Sequence, residues 1–233
     1  MDSSSLSTVE PTLTGSAQQS VDPVVSRAKF EQEIAAFQAA ASWQRSRGVF
    51  LLEANFPTVL VAFVTPNIHP RAIAFGVLFD FTNYDLEPPS VKFVDPLTGA
   101  GLNVDQLTTR LPRQAPQQVA PQLIQGPNGQ LIPVQIQVQP QALVQAHEPD
   151  KIPFLCIAGV REYHEHPAHT GDSWLLHRGQ GEGTLGFLID QLVKYGTEPL
   201  NRYNPQVHFH FDALGNSQIR VARVGLHQDS CPL

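Results

Sequence analysis

The chemistry of this chain is concentrated in residues 154–178, FLCIAGVREYHEHPAHTGDSWLLHR, which hold four of its nine histidines. Cys156, Glu162, His164, Glu165, His166, His169, Asp172 and His177 all lie there. Imidazole and thiolate are donors suited to zinc, and a glutamate adds an oxygen. The candidate ligands are Cys156, Glu162, His164, His166 and His169, and the candidate ion is zinc. On an extended backbone Glu162, His164 and His166 share parity and point to one face, spaced ~6–7 Å apart at ~3.3 Å per residue. Pro167 offers a turn that swings His169 back. Gly159 permits the bend that would bring Cys156 to the same point. Tyr163 and Glu165 would face the other way, with Glu165 placed to orient ligands from outside. A closed set of four ligands is structural, whereas a position left to water permits hydrolysis.

Cys156 carries a second chemistry. A thiolate is a nucleophile, and a nearby histidine lowers the thiol pKa. The two uses exclude each other at any one moment, because a zinc-bound thiolate is quenched. The other conspicuous polar residues read as structural. His177 is a surface or hydrogen-bonded residue, and His208 and His210 share one face of a strand in VHFHF. The run GQGEGT, with Gly179, Gly181 and Gly183, is a connector ending in Thr184 as a helix N-cap. A phosphate cradle at that helix start lacks the lysine of a P-loop.

Several elements must position this stretch. Asp22-Pro23 provides a cap and a first helical residue. Phe30, Ile34, Phe37 and Ala41 then mark one helical face, ending near Gly48. Strand-like runs follow at residues 49–53, 58–65, 72–81 and 90–94, separated by Phe56-Pro57, Pro66-Asn67 and residues 83–89. The expectation is a four-stranded antiparallel meander, with Phe75, Leu78, Phe79 and Phe81 in the core and Trp43 packed on the sheet. A second helix carries Leu185, Leu188, Ile189, Leu192 and Tyr195 and stops at Gly196, with Trp174 against it. Residues 207–211 and 218–224 form a closing hairpin. The expected class is α+β.

Composition narrows the function classes. The chain has 233 residues, a formal charge of −6, 15% charged residues and 20 prolines. An acidic balance excludes the positive footprint of a nucleic-acid binder. Two cysteines, Cys156 and Cys231, make no disulfide framework. No apolar run reaches the ~18–20 residues of a membrane span, and residues 1–20 lack the apolar centre of a signal peptide. A cytoplasmic protein is expected. Residues 1–21 read as a disordered tail and 22–233 as one domain with an insertion at about 103–150. Residues 114–147 contain no Asp, Glu, Lys or Arg. Pro116, Pro121, Pro127, Pro133 and Pro140 forbid a long helix there, and Pro127-Asn128-Gly129 marks the turn of a β-hairpin between two apolar-polar alternations.

The order of helix, meander, Pro88-Pro89 before Val91 and Phe93, then Cys156, Trp174 and the helix over 185–195 resembles the ubiquitin-conjugating (E2, UBC-like) fold. Tyr84 belongs to the same pattern, which covers roughly residues 26–196. The resemblance implies that Cys156 stands near the thioester cysteine. It also implies E1-like and ubiquitin-like partners. The family's His-Pro-Asn tripeptide, whose asparagine is the expected oxyanion stabiliser, is missing between Phe93 and Cys156. The interval from Cys156 to Trp174 is also longer than in that family. The Cys/His-rich segment resembles a bacterial family of predicted metal-binding proteins associated with prokaryotic ubiquitin-like systems, and this second resemblance implies a linkage to a bacterial ubiquitin-like conjugation pathway. Its Cys-Glu-His-His motif implies Cys156, Glu162 and two among His164, His166 and His169.

Two expectations therefore compete: a zinc-binding protein on an E2-like fold, and an active E2-like transferase with Cys156 catalytic. A third is a non-catalytic scaffold that binds protein partners through the Gln/Pro-rich arm. His164-x-His166-Pro167 is also similar to the metal motif of JAMM-type isopeptidases, but Asp172 comes too early and position 174 is Trp where that family has Ser. A cupin-type site would need a glutamate nearer than Glu182.

Overall fold

A computed structural model describes residues 19–113, 117–118, 122–125, 130–134, 137–138, 141–146, 152–211 and 217–227. Helix α1 (Pro23–Ala39) begins where the sequence marks it. The Asp22 carboxylate accepts from the Val24 N–H at 2.9 Å, and Pro23, with no N–H to satisfy, occupies the first helical position. Asp22→Ala is expected to cost about 1 kcal/mol, read as a lower urea midpoint with an unchanged slope. Phe30 and Phe37 are buried as their spacing requires.

The chain breaks helical phase at Ala40 and resumes as α2 (Ala41–Ser46). The break turns Gln44 inward and leaves Trp43 62% exposed, under the Arg47 guanidinium at 5.6 Å. The expected packing of Trp43 on the sheet is thereby corrected. Gly48 makes the exit with φ +84°, and a Cβ there would stand 2.1 Å from the Val64 carbonyl oxygen.

The meander is present: β1 (Val49–Asn55), β2 (Thr58–Val64), β3 (Ile73–Asp80) and β4 (Ser90–Val94), each antiparallel to the next. The Gln/Pro-rich region then forms a hairpin, with β5 (Gln117–Gln118) paired to β8 (Gln137–Val138) and β6 (Gln122–Gln125) to β7 (Leu131–Val134). Its turn, Pro127-Asn128-Gly129, lies outside the described residues. Two short strands, β9 (Val144–Gln145) and β10 (Phe154–Leu155), extend the expected four-stranded sheet to six, in the order β1-β2-β3-β4-β10-β9. Strands of two residues are too short to show a period of two, so the sequence could not announce them.

Register explains the core. Val59 pairs with Phe79, Val61 with Val77 and Phe63 with Phe75, and then Phe79 with Val91 and Val77 with Phe93. Because side chains alternate, these rows fill one face, which packs on Phe30 and Phe37 of α1 and on α4 (Leu185–Leu192). Phe63 and Phe75 stack at 5.1 Å, and Phe93 meets Phe75 edge-on at 5.6 Å. Leu78 has the other parity and sits opposite Leu60 and Lys92.

Helix α4 starts at Thr184, whose hydroxyl accepts from the Phe187 N–H at 3.3 Å. It runs on past Leu192 as a π-helical turn, Val193–Thr197, that buries Gly196 against Phe75. Glu33 of α1 ties the two helices, accepting from the Leu185 N–H and the Tyr84 hydroxyl at 2.9 Å each. Strands β11 (Arg202–Phe211) and β12 (Ser217–His227) form the terminal hairpin. The class is mixed α and β around an antiparallel sheet. Among the described residues, no helix is long and apolar enough to cross a membrane. Residues 1–18 lie outside the described residues, as does Cys231.

Candidate functional site

Cys156 leaves the sheet at the end of β10, where its N–H donates to the Leu143 carbonyl at 2.7 Å. The residue is 4% exposed and its thiol is free. Three residues on, Gly159 lies against the chain before α4. A Cβ at this position would stand 1.9 Å from the Glu182 carbonyl oxygen and 3.0 Å from the Gly183 nitrogen. Glycine serves close backbone approach here rather than a positive φ.

The segment after Gly159 is not extended. Residues Arg161–Glu165 form a short helix, α3. Neighbouring helical side chains are turned by ~100° about the axis, so the single face expected of Glu162, His164 and His166 does not exist. Pro167 ends this helix by forcing His166 into extended backbone, φ −75° and ψ 130°. A 3-10 turn, Pro167–His169, follows, with His166 Nδ1 accepting from the Ala168 N–H at 3.1 Å. That turn swings His169 back, as Pro167 predicted, until its Nε2 lies 3.5 Å from Cys156 Sγ.

The five candidate ligands thus separate. Cys156 and His169 meet. Glu162 points toward β4, accepting from the Ser90 hydroxyl and, at 3.2 Å, from the Val91 N–H. Burial raises its pKa, against the lowering effect of Ser90, the backbone donors and Arg161. His164 places Nδ1 2.8 Å from the Asp172 carbonyl oxygen and Nε2 against the Ala158 carbonyl oxygen. The His166 ring lies 5.4 Å from that of Phe154 and 5.5 Å from that of His169. Among the described residues, no three His, Cys, Asp or Glu side chains are arranged to hold one ion. As arranged, the chain offers a zinc ion the sulfur and one imidazole, and Glu162 and His164 would have to leave these hydrogen bonds to join them.

Residues not selected from the sequence complete the site. Tyr163 stacks on His169 at 3.9 Å and 19°, and its hydroxyl donates to Asp172 Oδ2 at 2.7 Å. Burial, with the Asp172 carboxylate, pushes the Tyr163 pKa up to about 12. Extended parity had turned Tyr163 away; only the fold-back at Pro167 brings it under the imidazole. Arg113, next to Pro112 and its bridge to Ala142, donates from Nη2 to the Cys156 carbonyl oxygen at 3.3 Å. Burial pushes the Cys156 thiol up, and the Arg113 charge pulls it down.

Behind Tyr163, Asp172 Oδ1 lies 2.6 Å from His177 Nε2, and His177 Nδ1 meets Glu182. Of the surface and hydrogen-bonded readings of His177, the structure shows the hydrogen-bonded one. The hydrogen bond to Asp172 raises its pKa above 6.5, burial opposes, and Glu182 adds to the rise. A histidine held protonated by folding stabilises most below its unfolded pKa. That contribution disappears as pH climbs through the folded value. The stability gap between wild type and His177→Gln is therefore expected to be largest below about pH 6.5 and to close at alkaline pH, in urea unfolding at a series of pH values. An unchanged gap would remove the clamp.

Trp174 is buried, but not on the last helix as expected. Its indole N–H donates to the Asp85 carbonyl at 3.0 Å and its ring covers Gly183. The Asp85 carboxylate accepts from Lys29 and, at 3.1 Å, from Arg178. Burial raises its pKa, but these two cations outweigh it and hold the carboxyl below its ordinary value. The imidazoles of His208 and His210, in β11, lie outside the described residues.

The Y4jH family pattern matches residues 21–200. The chain belongs to the Y4jH family. Uncharacterized protein y4jH from Sinorhizobium fredii (strain NBRC 101917 / NGR234) is 46% identical to it over 200 residues, covering 84% of this chain and 93% of that relative. The Y4jH match runs from the start of α1 to the end of the π-helical turn. It includes Arg113, Cys156, Tyr163, His169 and Asp172 and stops before the β11–β12 hairpin.

Proposed function

We propose that this Y4jH-family protein is a thiol-dependent acyl carrier with a UBC-like arrangement, holding the C-terminus of a ubiquitin-like protein as a thioester on Cys156. The observation that carries this reading is the 3.5 Å approach of His169 Nε2 to Cys156 Sγ. A buried thiol whose pKa is raised needs a partner that takes its proton, and an imidazole at that distance is such a partner. Tyr163 fixes the ring by stacking, and Asp172 fixes Tyr163. The UBC-like arrangement is supported by the order of parts: an N-terminal helix, an antiparallel meander, a cysteine just after the strand that joins β4, and a helix across the same sheet face.

A second reading, a zinc site, draws on the same pair, since a sulfur and an imidazole nitrogen side by side are half of a zinc set. The two readings separate in one preparation. The protein is isolated from its native host with thiols left unreduced; one half is taken into denaturant for intact mass and the other is kept folded for metal content. A covalent adduct released by thiol reductant and by neutral hydroxylamine but not by a phosphine, as a thioester is and a disulfide is not, supports the carrier. Unmodified protein with one zinc per chain, lost in Cys156→Ala and His169→Ala, replaces it with the metal site.

A further inference from the structure

Acyl transfer at a thioester needs more than a base. When an amine attacks the carbonyl carbon, negative charge gathers on the carbonyl oxygen, and a donor or cation placed there in advance supplies much of the catalysis. The Glu162, Asp172 and Glu182 carboxyl groups are engaged with Ser90, Tyr163 and His177, and Tyr163 is committed to Asp172, so none serves. Arg113 has the right charge and the right place. Its backbone N–H is pinned to the Gln141 carbonyl at 3.0 Å, and its guanidinium donates to the Cys156 backbone oxygen at 3.3 Å. A guanidinium has five N–H donors, and that contact uses one. The Arg113 charge lowers the pKa of both the Cys156 thiol and the Tyr163 hydroxyl, against the burial that raises them.

We infer that Arg113 is the charge-stabilising residue of acyl transfer at Cys156, donating to the thioester oxygen while the acyl group changes hands. The inference rests on the acyl-carrier reading and deepens it. In the transfer, the amine nitrogen forms a bond to the carbonyl carbon and the carbonyl electron pair moves onto oxygen, facing Arg113. The oxyanion collapses, the carbon–sulfur bond breaks, and its electron pair stays on Cys156 Sγ. The proton lost by the amine passes to His169 Nε2 and on to the sulfur, restoring the thiol. The products are an amide and free Cys156.

The test uses the purified full chain and small probes. Para-nitrophenyl acetate acetylates the thiol with release of nitrophenolate, and glycinamide then removes the acetyl group, followed by intact mass. Iodoacetamide alkylation at its high-pH plateau, a displacement with no oxyanion, reports thiol placement alone. Arg113→Gln is expected to slow removal of the acetyl group by glycinamide about 100-fold while leaving the alkylation plateau unchanged. Arg113→Lys is expected to recover part of the rate, because it keeps the charge and loses the fork. Equal aminolysis in wild type and Arg113→Gln overturns the role of Arg113 and leaves the carrier reading standing. An alkylation plateau that falls in step with aminolysis also overturns it, by showing that Arg113 only places the thiol. A wild-type protein that acetylates no faster than Cys156→Ser overturns both.

Discussion

Cys156→Ser is expected to abolish the reductant-sensitive adduct of this protein entirely. Serine places an oxygen where the sulfur stood, 3.5 Å from the imidazole. An adduct formed through that oxygen would be an ester that survives reducing agent, so the change in chemistry is visible even if some transfer persists. His169→Gln keeps a polar group beside the thiol but removes the proton acceptor, and adduct formation should slow by about 10²–10⁴-fold, the usual worth of a positioned general base. Intact mass with and without reducing agent reads both. An adduct that persists unchanged in Cys156→Ser would place the acyl group elsewhere, and one that forms at the wild-type rate in His169→Gln would remove the imidazole from the reaction.

Gly159→Ala is expected to destabilise the fold by about 3 kcal/mol and to loosen the Cys156 segment with it. The added methyl would lie 1.9 Å from the Glu182 carbonyl oxygen and 2.5 Å from its carbon. Both are backbone atoms, unable to swing aside as a side chain would. The chain must move apart between α3 and the start of α4, and Glu182, which meets His177, lies on the displaced piece. Urea unfolding reads the stability, and iodoacetamide alkylation of Cys156 reads the loosening, with faster reaction expected than in wild type. A variant as stable as wild type would show that the close approach at Gly159 relaxes at no cost.

Much of the scaffold is legible in the sequence because its signals are local. Asp22-Pro23 caps α1, Thr184 caps α4, and strand-like apolar runs become β1 to β4. Where a signal depended on phase, the structure differed. Ala40 breaks the helix, so the spacing that carried Phe30 and Phe37 inward does not extend to Trp43. Arg161–Glu165 has no side-chain N-cap, so nothing in the sequence distinguished a single helical turn from the extended chain that would have aligned Glu162 with His164 and His166.

The sequence by itself determined which chemical groups are available near Cys156 and that Pro167 would turn the chain. Residue type and proline sterics act within a few residues. Only the tertiary structure decided which groups meet. Cys156 finds His169 rather than Glu162 because α3 docks its glutamate on Ser90 and Val91, 71 and more positions earlier in the chain. Arg113 reaches Cys156 because the inserted hairpin returns the chain to the sheet between them. Contacts across such separations follow from burial and register over the whole sheet, and no local pattern encodes them.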